Sequence, residues 1–173
     1  AMPVYMEPYH AYLTFPHEHE LYFGPYTPQS LHQESADLLF CAGGRAFVEF
    51  DYSPSPMVPN GLRFIHLHPD PWEVGKIFSV DAGIVADTRM GLSGLIEELT
   101  KLMDSAAGER VRQRILHFRE RKKEKEATLS EQRKTGWDDT PIKQWRLTSE
   151  LLQVMGRETV LVNESVTATG YFF

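Results

Sequence analysis

The sequence predicts an α/β fold, a parallel sheet flanked by helices and incomplete at both ends. Three observations carry this. Leu38–Ala42 and Gly83–Asp87 are apolar runs of strand length, bounded by Gly43-Gly44 or turn residues, as in strands buried on both faces. Long connections, not tight hairpins, separate the strand candidates, as parallel pairing requires. One later segment has a clean helical period.

Taken in order, Pro3–Met6 is a short strand that ends at Pro8. Residues 9–30 are rich in Tyr, Phe, His and Pro with little period, and read as a loop whose aromatics fold back onto the body. Leu31–Ala36 is a short helix and Leu38–Ala42 a buried strand. The proline-rich stretch Ser53–Asn60 is a loop, Leu62–Leu67 the next strand, and Pro69-Asp70-Pro71 its stop. Trp72–Lys76 can form a short helix. Leu92, Leu95, Ile96, Leu99, Leu102 and Met103 then align on one helical face, with Gly108 as the stop.

Charge divides the chain. There are 18 Lys+Arg against 24 Asp+Glu, a net charge of −6, yet Glu109–Glu126 holds eight basic residues and four Glu. The interleaved glutamates and the lack of stacking aromatics favour a solvated helix over a nucleic-acid patch. The expected organisation is therefore a first domain over 1–108, a charged helical linker over 109–138, and the opening of a second domain over 139–173. In that last part, Asp139 or Thr140 caps a helix with Pro141 at its first position. Ile142, Trp145, Leu152 and Met155 share a face, and Gly156 ends the helix. Thr159–Val162 follows as a strand. A helix and one strand cannot bury a core of their own, so the rest of that domain is expected elsewhere.

Composition is that of a soluble globular chain, with 42% hydrophobic and 24% charged residues. No apolar stretch approaches the roughly 20 residues needed to span a bilayer. The start lacks a basic segment followed by an apolar one, so no signal peptide and a cytoplasmic location are expected. The one cysteine, Cys41, sits in an apolar run and reads as a buried thiol, not a nucleophile.

Candidate chemistry is sparse. His17/His19 and His66/His68 have an H-x-H spacing that could place two ligands on one side of a strand, but two histidines do not make a metal site. Packed or solvated histidines are the favoured reading. Gly43-Gly44 lies where a parallel sheet binds ligands, at a strand's carboxyl end, without the full G-x-G-x-x-G fingerprint. Asp70 could meet a ribose there, although capping the turn between its two prolines is the favoured reading. Together these residues define the rival expectation, an adenine-nucleotide (FAD or ADP) module.

The order of segments adds more. Pro3-Val4-Tyr5, Leu21-Tyr22-Phe23-Gly24, Ala36-Asp37-Leu38-Leu39-Phe40 with Gly43-Gly44, Ile65-His66-Leu67-His68-Pro69-Asp70-Pro71, and Asp81-Ala82-Gly83-Ile84-Val85-Ala86-Asp87 appear in succession. This set resembles the Rossmann-like central domain of thiamine-diphosphate-dependent decarboxylases and carboligases, in particular the benzoylformate decarboxylase-like branch. Val160–Ser165 resembles the first strand of that family's diphosphate-binding domain.

The resemblance implies a piece of a larger, homo-oligomeric enzyme acting on a small 2-oxo acid with thiamine diphosphate and Mg2+. The family's activating glutamate and its Gly-Asp-Gly metal motif would lie outside these residues, as would the first strand of the central domain. No catalytic residue and no metal ligand is therefore expected here, and the chain alone is expected to be inactive. The resemblance places Ser165, Val166 and Thr167 at the cofactor's diphosphate and Phe50 in the substrate pocket. There benzoylformate decarboxylases carry a histidine, and a phenyl ring cannot transfer protons. FAD or ADP in the central domain is possible by resemblance but not favoured.

Overall fold

In the computed structural model, residues 1–7, 15–33, 35–48, 55–156, 158–162 and 164 are described. They divide into two compact units, 1–116 and 117–173.

The first unit is built on parallel strands. β1 (Val4–Met6) pairs with β2 (Tyr22–Pro25) in a two-stranded sheet. β3 (Leu38–Ala42), β4 (Arg63–His68) and β5 (Ala82–Val85) form a second sheet in the order β3-β4-β5, all parallel. The predicted α/β class with parallel pairing therefore holds. Phe64, His66 and Leu67 of the central strand are the largest fully buried side chains. Tyr26, Leu31, Ala46, Phe47, Val58 and Phe64 form the core cluster, with Tyr26 and Phe47 stacked 4.5 Å apart.

Several expectations are corrected. Tyr22–Pro25 is a strand, not loop: its backbone pairs with β1 despite the aromatic, non-periodic surroundings. The short helix α1 is Pro28–Gln33, displaced towards the N-terminus, because Pro28 opens it with a preset φ. The left-handed Ser35 (φ 48) follows its end, where the Ala36 amide bonds back to the Leu31 carbonyl. Residues 72–76 are consecutive turns, not a helix. β5 is an edge strand with Ala82, Gly83 and Val85 exposed, and β3 is only partly buried, so neither is covered on both faces.

Helix α2 (Thr88–Leu102) is capped by Asp87, whose carboxylate accepts from the Met90 amide at 3.0 Å. It meets the sheet at Gly91, which faces Leu67, while Ile96, Leu99, Leu102 and Met103 of its apolar stripe remain exposed. It ends at an extended Met103, not at Gly108. Gly108 lies inside α3 (Ser105–Lys134), because Asp104 starts a new helix by accepting from the Ala107 amide at 2.6 Å.

The charged stretch is helical and solvent-facing, laced by pairs such as Arg112–Glu109 and Lys134–Glu131. The 117–173 unit also contains α4 (Gln144–Val154). It starts three residues later than predicted, with Lys143 and not Asp139 or Thr140 at its N-cap. Thr159–Val162 is not a strand. Val160 and Val162 are each 85% exposed, and no partner strand lies beside them among the described residues.

Candidate functional site at the strand ends

The carboxyl ends of β1, β3 and β4 converge on the loop Gly43–Phe47. Gly43 takes the left-handed conformation (φ 79), which a side chain would strain, and its amide donates to the Leu67 carbonyl at 2.8 Å. Ala46 is also left-handed (φ 47), a conformation that costs an L residue roughly 1–2 kcal/mol. Amides in such a turn point inward as a nest for an anion.

That nest already holds the protein's own anion. The Glu7 carboxylate, at the end of β1, accepts from the Arg45 amide at 3.0 Å and also from the Ala46 amide. A Cβ at Gly44 would lie only 2.0 Å from Glu7 Oε2 and 3.2 Å from Cys41 Sγ, so a side chain there would push the Glu7 carboxylate off the loop amides. Burial pushes the Glu7 carboxyl above its usual range, against the opposing pull of those amides and of the Arg45 charge. Burial, reinforced by Glu7, raises the Cys41 thiol to about 12, so it stays protonated and unreactive at neutral pH.

His66 completes the cluster. It is 1% exposed, with Nε2 2.8 Å from the Gly44 carbonyl and Nδ1 accepting from the Gly75 amide at 3.4 Å. Nε2 is therefore the protonated, donating nitrogen of a neutral ring. His68 lies 5.8 Å away, ring to ring, and its Nδ1 accepts from the Asp70 amide at 3.0 Å. His17 stacks on Tyr22 at 4.4 Å, and His19 Nδ1 accepts from the Leu21 amide at 3.1 Å. The histidine pairs thus hold turns and aromatic packing together. Among the described residues, no three His, Cys, Asp or Glu side chains are grouped so as to hold a metal ion.

Asp70 takes the turn role: its Oδ1 accepts from the Trp72 amide at 2.9 Å. With Glu7 filling the Gly43-Gly44 turn, an approaching phosphate would meet a like charge. The arrangement therefore weighs against the adenine-nucleotide reading. Ser165, Val166, Thr167 and Phe50 lie outside the described residues. Glu7 is the residue that sequence reasoning missed. Its one signal was a lone carboxylate between the strand end Met6 and Pro8.

Parallel strands with a ligand-type loop at their carboxyl ends define the class as a layered α/β domain of the kind that serves cofactor enzymes. The chain belongs to the thiamine pyrophosphate enzyme family: the model for "Thiamine pyrophosphate enzyme, central domain" matches residues 1–95, more than half of its length. It is 26% identical over 153 residues to a glyoxylate carboligase of Escherichia coli O157:H7, which takes in 85% of this chain and 25% of that protein. The chain thus spans about a quarter of the relative's length.

Two solved structures are similar. One is described as a thiamin diphosphate-dependent enzyme isolated from Mycobacterium smegmatis (27% identity, TM-score 0.49, 60% of this chain and 20% of that one). The other is the thiamine diphosphate-dependent 4-hydroxybenzoylformate decarboxylase of Rhodococcus jostii RHA1 (24% identity, TM-score 0.43, 50% and 17%).

Proposed function

We propose that these residues are an internal part of a thiamine diphosphate-dependent enzyme that decarboxylates or carboligates a 2-oxo acid, contributing its structural central domain and no complete active site. The family match over residues 1–95 carries this reading. The 153-residue similarity to a glyoxylate carboligase extends past that domain and supports a continuation towards the diphosphate-binding part.

Two features of the fold support the incompleteness. Among the described residues, β1 and β3 each pair on one side only, in separate sheets whose carboxyl ends meet through Glu7 and Arg45. A further parallel strand between them would join the two sheets into one and cover both open edges. Large apolar side chains are also exposed in rows, Ile96, Leu99, Leu102 and Met103 on α2 and Leu147, Leu151 and Leu152 on α4. Such rows call for cover by the remainder of a larger protein.

The cofactor, when bound, supplies an electron sink for the carbanion left by decarboxylation. The Mg2+ ligands are assigned to other parts of the enzyme, as the family resemblance implies. We assign Ser165, Val166 and Thr167 to the diphosphate, where backbone amides and the Thr167 hydroxyl would donate. Phe50 is assigned to an apolar wall of the substrate pocket. The domain division at 108 and 138, a homo-oligomeric enzyme and a cytoplasmic location belong to the same reading.

The test is to express the complete reading frame containing these residues and assay glyoxylate, pyruvate and benzoylformate with thiamine diphosphate and Mg2+. Cofactor-dependent CO2 release from at least one is expected. A folded full-length protein that releases none, or does so without the cofactor, would overturn the proposal.

A further inference from the structure

We propose that Glu7 and His66 are positioning residues that clamp a single peptide plane, Gly44–Arg45, and thereby fix the course of the loop Gly43–Phe47. The carbonyl of that peptide belongs to Gly44 and accepts from His66 Nε2 at 2.8 Å. Its N–H belongs to Arg45 and donates to Glu7 Oε2 at 3.0 Å. One partner comes from the end of β1 and the other from β4, so the plane is gripped at both poles from two different sheets. Rotating it would break both bonds and leave the buried His66 Nε2–H without its acceptor. Phe47, two residues on, is locked by its stack on Tyr26, so the clamped segment leads directly into the stretch that carries Phe50. The consequence for substrate rests on the functional proposal above; the clamp itself rests only on these contacts.

The residue types fit the task. A carboxylate only accepts, so it cannot turn a donor towards the two loop amides, as a flipped Gln could. The imidazole offers one nitrogen to each side: Nε2 meets the Gly44 carbonyl and Nδ1 accepts from the Gly75 amide. Among the described residues, the charged or titratable groups facing Glu7 include His66 on β4, Cys41 on β3 and Arg45 in the loop itself.

Acidification separates a clamp from a merely stabilising contact. Burial raises the Glu7 carboxyl in the folded state, so its contribution to global stability is present at low pH and lost as pH rises through the folded value. The clamp has the opposite dependence, engaged at high pH and weakened when Glu7 takes up a proton.

Amide hydrogen exchange of the 173-residue chain, read residue by residue by NMR between pH 5 and 8 and corrected for intrinsic rates, tests this on the order of a tenfold change. In the unaltered chain, protection of Arg45 and Ala46 is expected to rise with pH along the Glu7 carboxyl titration, while Phe64 and Leu67 do not follow it. Glu7→Ala is expected to lower protection at Arg45 and Ala46 alone, about tenfold. Glu7→Gln restores part of it and removes the pH dependence. Uniform loss of protection across β3 and β4 in Glu7→Ala, or Arg45 protection indifferent to the Glu7 titration, would overturn the clamp. The titration of the unaltered chain decides the matter even if a variant fails to fold. Neither result depends on turnover, so failure of the functional proposal is read separately in the enzyme assay.

Discussion

Gly91 of α2 sits directly on Leu67 of β4: a Cβ placed at Gly91 would lie 2.7 Å from Leu67 Cδ1 and 3.0 Å from Cδ2. Leu67 is fully buried and has no room to give. Three residues on, Gly94 faces open space. The two glycines should respond oppositely to the same change. Gly91→Ala should lose about 1–3 kcal/mol through overpacking, despite the better helix propensity of alanine. Gly94→Ala should gain up to about 1 kcal/mol from propensity alone. Urea unfolding of both variants checks this, and shifts of the same sign would refute the packing described for α2.

Cys41 should behave as an inert core thiol. At pH 8 the folded chain should leave it unmodified by a disulfide reagent for far longer than the denaturant-unfolded chain. Its folded value of about 12 lies above the ordinary thiol value of 9.0. Unfolding therefore releases a proton across that window, and stability should fall as pH rises from about 9 to 12, by at most about 1.4 kcal/mol per pH unit. Tyr26, raised by burial in the same core, acts in the same direction at still higher pH. Rapid modification of Cys41 in the native chain would show that β3 is open where the structure closes it.

Two arginines offer a contrast in what an ion pair is worth. Arg63 meets Asp37 at 3.1 Å with both side chains largely exposed, so Arg63→Ala should change stability by no more than about 0.5 kcal/mol. Arg146 is only 26% exposed. It bridges the Trp137 carbonyl, Asp138 and Glu150, and lies 5.3 Å from the Trp137 ring centre. Arg146→Ala should cost on the order of 1–2 kcal/mol and alter Trp137 fluorescence, because several bonds and a cation–π contact share one side chain. Equal effects of the two changes would contradict this.

How much of this was legible beforehand depended on where the information resides. Leu38–Ala42, the strand at 63–68 and the helix carrying Leu92 and Leu99 were readable, because apolar runs and helical spacing are local properties. The strand at Tyr22–Pro25 was not, since its identity comes from pairing with β1, 16 or more residues away in sequence. The burial of β5 was overestimated for the same kind of reason: an apolar run signals covered faces, but Ala82, Gly83 and Val85 are exposed. Gly108 misled as a helix stop because Asp104 had already capped a new helix. At the candidate site, Gly43-Gly44 was read as a strand end where a ligand could bind, and the structure places a left-handed Gly43 there. Its occupant, Glu7, lies about 40 residues earlier in sequence, and no spacing rule links the two. The assignments of Phe50 and Ser165–Thr167 rest on family resemblance alone.

On the function proposed above, these residues supply scaffold and not a reaction centre. Calorimetric titration of the purified 173-residue chain with thiamine diphosphate and Mg2+, with CO2 release from glyoxylate followed in the same sample, addresses it most directly. No saturable heat and no CO2 above the protein-free control are expected. Saturable cofactor binding together with steady CO2 release would contradict it.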